Sequence, residues 1–115
     1  MKQSPVSAPA VAGERHAVAC RLAAFLRERH PIKTAEHVSA ATDLSPATVA
    51  SLLERGSAPS AMTLLALVGA YGAEGLAALW EQPPAWLIAA ARQAERDRIE
   101  AQIDALRGRL EQVAP

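Results

Sequence analysis

The sequence has 115 residues and a single cysteine, Cys20. No internal disulfide can form, and a reducing cytoplasm is the expected setting. Aromatic residues are almost as scarce: two Trp, one Tyr and one Phe. No apolar run reaches the ~18 residues needed to span a bilayer. The N-terminus offers one lysine and no long apolar stretch, so neither a secretory leader nor a membrane partner is expected. Period-two alternation, the mark of a half-buried strand, is absent throughout. Charge of one sign is missing too, since 12 Lys and Arg balance 12 Asp and Glu. Nucleic-acid binders usually carry a basic surplus, because phosphate neutralisation supplies much of their affinity. A neutral chain must place its few cations well or bind something else. There is no phosphate-cradling loop and no nucleophile elbow. His16 and Cys20 stand four apart without a second pair at ligand spacing. They read as a surface histidine and a buried cysteine. Glu36, His37, Asp43 and Glu54 read as a solvated turn and helix surface. No catalytic residue, metal or cofactor is expected, and the chain is not read as an enzyme.

What is present is helical. Twenty-seven residues are Ala, and the core must come from 13 Leu, 7 Val and 4 Ile. That suits close-packed helices around one modest core. Residues 1–13, rich in Pro, Ser and Ala, read as an arm without periodicity. Glu14 to His30 is the first predicted helix. Val18, Leu22, Phe25 and Leu26 share one face, and Pro31 ends it. Its four arginines, Arg15, Arg21, Arg27 and Arg29, are the densest basic set in the chain. They read either as an ordinary solvated face or as a phosphate-contacting one.

Val38 to Gly56, VSAATDLSPATVASLLERG, is the stretch around which the chain is organised. A short support helix begins at Thr34, a candidate N-cap, with Glu36 in its first turn. Thr42-Asp43 marks a turn, and Asp tolerates a left-handed backbone better than most residues. Leu44 follows as an apolar plug. Ser45 can cap the next helix, and Pro46 suits its first position, where a missing N–H costs nothing. Val49 and Leu52 define the buried face of this second helix, and Gly56 is placed to stop it. Ser60 caps a fourth predicted helix, Ala61 to Tyr71, with Leu64, Leu65, Leu67, Val68 and Tyr71 as its buried side. Gly72 ends it. Ala73 to Trp80 is a short fifth helix with Leu76, Leu79 and Trp80 as core contacts.

Gln82-Pro83-Pro84 is the clearest boundary. Beyond it, Ala85 to Gln112 predicts one long helix of about 40 Å. Its start, Trp86, Leu87 and Ile88, is apolar and can dock on the preceding domain or on another chain. Ile99, Ile103, Leu106, Leu110 and Val113 step by four, three, four and three, the seam of a short coiled coil. A single helix folded back on its own domain is the alternative. Pairing of two chains is preferred, because the seam is apolar and its flanks are charged.

Thr34 to Gly72 resembles the Cro/C1-type, lambda-repressor-like helix-turn-helix domain. The resemblance rests on Glu54-Arg55-Gly56, Pro59-Ser60, Thr63-Leu64-Leu65 and the closing Leu67 to Gly72. It covers the middle third of the chain, extended by Glu14 to His30. The turn holds Asp43 where that family usually holds Gly. The run from the turn to Glu54 is one residue longer than its commonest spacing and is similar to that of lac-repressor-type domains. The helix from Pro46 to Glu54 contains no Arg, Lys, Asn or Gln, the strong base readers. Ser and Thr can still bond bases or phosphates, and Ala can touch a thymine methyl.

The resemblance implies an all-α protein with a five-helix domain over 14–81, followed over 82–115 by a helix that pairs two chains. It implies a sequence-specific transcriptional regulator of double-stranded DNA, and with the pairing read from the apolar seam a homodimer with half-sites about 34 Å apart. Ser45, Ala47, Thr48 and Ser51 would face bases. Lys33, Thr34, Arg55 and some first-helix arginines would hold phosphates. The rival reading is an adaptor that uses the same helices to dock another protein, such as a component of the transcription machinery or a toxin partner.

Overall fold

The structure, a computed structural model, describes the backbone over residues 8–113 and side chains over 14–113. Among the described residues it is all helical, with α1 Ala8–Arg29, α2 Thr34–Thr42, α3 Pro46–Arg55, α4 Ala61–Ala77 and α5 Ala85–Val113. Helix α1 begins at Ala8 rather than Glu14. Six residues of the expected arm are therefore helical, and residues 1–7 of that arm lie outside the described residues.

The α2–α3 unit is set by local chemistry. Asp43 adopts the left-handed conformation (φ 64°, ψ 10°), and its N–H donates to the Ser39 carbonyl at 2.9 Å. The Thr42 hydroxyl donates to the Val38 carbonyl at 2.7 Å and accepts from the Leu44 N–H at 3.2 Å. The Ser39 hydroxyl donates to the Leu44 carbonyl. The Ser39 and Thr42 hydroxyls and the Asp43 and Leu44 N–H groups thus each have a partner within five residues, which holds the turn. The Ser45 hydroxyl accepts from the Thr48 N–H at 3.1 Å, with Pro46 next in the first turn. Gly56 stops α3 with φ 64°, ψ 28°.

The start of α2 departs from expectation. Lys33, not Thr34, is the cap residue, left-handed at φ 53° and with no side-chain cap bond. The Thr34 hydroxyl donates back to the His30 carbonyl instead, tying α2 to the end of α1. The Lys33 carbonyl accepts the first backbone bond, from His37 at 3.0 Å.

Helix α4 contains both helices expected between Ala61 and Trp80. Ser60 caps it by accepting from the Thr63 N–H at 3.2 Å. It breaks at Gly72, where φ 61°, ψ −145° lies in backbone space that only glycine occupies readily. The break turns the second arm of α4 towards α5. Gly75, in that arm, is buried against Tyr71, and a β-carbon there would sit 2.8 Å from the Tyr71 Cβ.

The core comprises Leu22 and Leu26 of α1, Val38 of α2, Val49 and Leu52 of α3, Leu67 and Tyr71 of α4, and Leu79. Val18, Phe25, Leu44, Leu64 and Leu76 pack around it. Phe25 meets Tyr71 edge-on, with ring centroids 5.6 Å apart, a favoured geometry for aromatic pairs. Leu65 and Trp80 are corrections to the expected core. Leu65 is exposed, because Leu64 and Leu67 already occupy the inward positions of its turn. Trp80 is 44% exposed, because Leu79 takes the inward position after the helix ends. Cys20 is exposed rather than buried, with its Sγ 3.5 Å from His16 Nε2. Ala19 and Leu22 hold the inward positions beside it.

Helix α5 belongs to both halves of the molecule. Leu87 is fully buried, with Ile88, Ala91, Ala94 and Arg98 half-buried after it. From Ile99 to Val113 every residue is exposed. The first half docks on the domain, chiefly on α4, and the second half, about 22 Å long at 1.5 Å per residue, projects beyond it.

Candidate nucleic-acid interface

The face of α3 turned away from Val49 and Leu52 carries Ala47, Ser51 and Glu54, with Thr48 and Arg55 at its edge on the Leu52 side. Ala47 and Arg55 are exposed, and Thr48 and Ser51 are half-buried. Ser45 and Lys33 are exposed, and Thr34 is half-buried. The outward α3 residues are hydroxyls, a methyl and the exposed acid Glu54, with the cation Arg55 at the end of the helix; Lys33 and Thr34 stand at the start of α2.

Their hydroxyls are not equally available. Ser45 Oγ accepts from the Thr48 N–H and donates to Thr48 Oγ1 at 2.9 Å. It caps the helix with both functions in use. Thr48 Oγ1 is thereby an acceptor, and its own proton can still be donated outward. The Thr34 proton is given to the His30 carbonyl, so an outside group could meet only its lone pairs. Among the described residues, Ser51 makes no side-chain hydrogen bond and keeps both roles for a ligand.

The first-helix arginines are mostly turned to internal work. Arg27 Nη2 donates to the Leu53 carbonyl at 2.9 Å. This places a cation on one of the last carbonyls of α3, where it complements the helix dipole and clamps α3 to α1. Arg21 Nε donates to the Leu79 carbonyl at 2.8 Å, and its Nη2 lies 3.6 Å from Glu14. Arg29 Nη2 is 3.2 Å from Glu74 Oε2, and its guanidinium lies over the Phe25 and Tyr71 rings at 5.1 and 5.6 Å. Arg15 is exposed. No local pattern marks these bonds, because the partners lie 26 and 58 residues away for Arg27 and Arg21.

Glu74 is the hub of the molecule's charged chemistry. Arg98 of α5 grips it with two bonds, Nε at 3.1 Å and Nη2 at 2.9 Å, while Arg29 approaches from α1. The Arg98 hydrogen bonds, followed by the charges of both arginines, hold the Glu74 carboxyl below its ordinary range despite burial. Nearby, His30 Nε2 meets the Tyr71 hydroxyl at 2.8 Å. Burial first, then the neighbouring His37 and Arg29, pushes the His30 imidazole down. Among the described residues, no cluster of three or more His, Cys, Asp or Glu is arranged to hold a metal ion. Among the described residues, no helix is long and apolar enough to cross a membrane.

The seam residues Ile99, Ile103, Leu106, Leu110 and Val113 are 41% to 76% exposed and lie along one face of the projecting half of α5. No family model, no curated protein and no solved structure matches the chain.

Proposed function

We propose that the chain is a DNA-binding transcriptional regulator that acts as a homodimer, with α2–α3 as its helix-turn-helix and α3 as the helix that enters the major groove. The observation that carries this reading is the outer face of α3, held by a hydrogen-bonded turn and ending in the exposed Arg55, with exposed Lys33 at the start of α2. Ser51, the Thr48 proton and the Glu54 carboxylate can bond a base edge from the helix itself, and Ala47 supplies a methyl for a thymine contact. Such a surface reads sequence weakly. Shape and deformability of the duplex then carry much of the selectivity, and two copies are needed for useful affinity. The projecting half of α5 supports the second copy. Five large apolar side chains along one face find no cover in a single chain, and a helical stretch of this length is marginal without packing.

Duplex binding by the wild type and by Ile103→Asp/Leu106→Asp, at two salt concentrations, tests the proposal. A dimer that sets Lys33 and Arg55 of each copy on phosphates neutralises about four charges. Raising salt from about 50 to about 200 mM then costs roughly 150-fold in affinity, from a slope of about −0.9 per phosphate. The seam variant, monomeric, should bind far more weakly at either salt. Absence of duplex binding by the wild type at low salt refutes DNA recognition and leaves the protein-docking adaptor.

A further inference from the structure

We infer that the partner of the projecting half of α5 is a second copy running antiparallel, in one specific register. The inference rests on the dimeric reading above and adds the direction of pairing.

Two features of α5 carry it. The first is the placement of the seam. At 100° per residue, the domain-facing residues Leu87, Ala91, Ala94 and Arg98 and the seam residues Ile99 to Val113 point roughly 110° apart around the helix. The domain therefore leaves the seam open to a second helix. The second feature is the order of charges beside the seam. Assigning Ile99, Leu106 and Val113 to d and Ile103 and Leu110 to a puts Glu100 and Arg107 at e, and Glu95, Gln102 and Arg109 at g. Glu100 and Arg107 flank Ile103 along one side of the helix surface. Both flanks thus read acid first and base last along the chain.

Such an order is self-complementary only when reversed. In a parallel pair, each Glu95 would face Glu100 of the other copy, and Arg96 would face its own copy at an a layer. In an antiparallel pair, Ile99 opposes Leu110 and Ile103 opposes Leu106, which gives four apolar layers. Glu100 then meets Arg107 of the other copy twice, once on each side of the two-fold axis. Sliding the register by one heptad towards the C-terminus keeps four apolar layers but brings Arg107 against its own copy. Charge thus selects one register among those that bury the seam. The consequence for recognition is geometric. The two copies of Leu87 lie about 50 Å apart along the coil, so the two domains sit at opposite ends of it.

The test is a charge reversal read by sedimentation equilibrium at low salt. Glu100 and Arg107 are exposed, so substitution there leaves the fold intact. Antiparallel pairing predicts that Glu100→Arg and Arg107→Glu each weaken the dimer about fivefold or more, and that the double variant recovers wild-type affinity. Parallel pairing predicts the opposite sign for Glu100→Arg, which would relieve the Glu95–Glu100 repulsion and tighten the dimer. Tightening, no change, or a double variant no stronger than the singles overturns the orientation while leaving the homodimer standing. A wild-type protein that stays monomeric at high concentration overturns both.

Discussion

Replacing Leu87 by Ala should destabilise the domain by about 3 kcal/mol, in the lower half of the range for truncating a fully buried leucine. Leu87 is 1% exposed, and its removal leaves a void where the first half of α5 meets the core. For a chain of this length that loss lowers the melting temperature by about 12 °C. The neighbour Trp86, 65% exposed, is the control. Trp86→Ala should change stability by about 0.5 kcal/mol or less, as for surface positions generally. Urea unfolding followed by circular dichroism, all variants at one protein concentration because association would shift the midpoint, measures both. A loss of less than about 1 kcal/mol for Leu87→Ala, or equal losses at the two positions, would mean that α5 is an appendage and not part of the domain.

Glu74→Gln should cost about 2 kcal/mol at neutral pH, since it removes charge-assisted bonds and leaves Arg29 and Arg98 facing each other half-buried. Because the folded carboxyl titrates below its ordinary value of 4.5, its contribution is present in full above that value and is lost as pH falls through the folded one. The gap between wild type and variant in chemical unfolding should therefore begin to narrow as pH falls below 4.5, and a gap that does not narrow at any lower pH where both proteins still fold would refute the ion triad. Gly72→Ala should cost about 1–3 kcal/mol through backbone strain alone, because nothing lies within 4 Å of the position a β-carbon would take. An unchanged unfolding midpoint would rule out the break in α4.

What could be read from the sequence was what neighbours decide among themselves. Ser45 and Ser60 cap their helices, Asp43 and Gly56 take the left-handed turns, and Val38, Val49 and Leu52 are buried, each as the local pattern implies. These outcomes depend on bonds spanning three to five residues or on helical spacing. Long-range choices left no such trace. Leu64 and Leu65 are equivalent by composition, and only the position of α1 and the other helices makes one inward and the other outward. The first-helix arginines read as a solvated or a phosphate-contacting face, yet Arg27 and Arg21 end on carbonyls of α3 and of the segment after α4, and Arg29 on Glu74. Of the candidate interface, the residue types and their helix could be read. The hydroxyl protons already committed at Ser45 and Thr34 could not, because they depend on rotamers and on the end of α1.

The continuity of α5 across the domain edge has a mechanical consequence. No proline and no hinge separates the docked residues up to Arg98 from the exposed ones after it. The protruding segment is thus a strut with its bearing fixed by the Glu74 clamp, not a tether that swings. Whatever sits at its far end is held at a set distance and angle from α3, and an added or deleted helical turn would rotate and displace it in discrete steps, like changing the notch on a calliper.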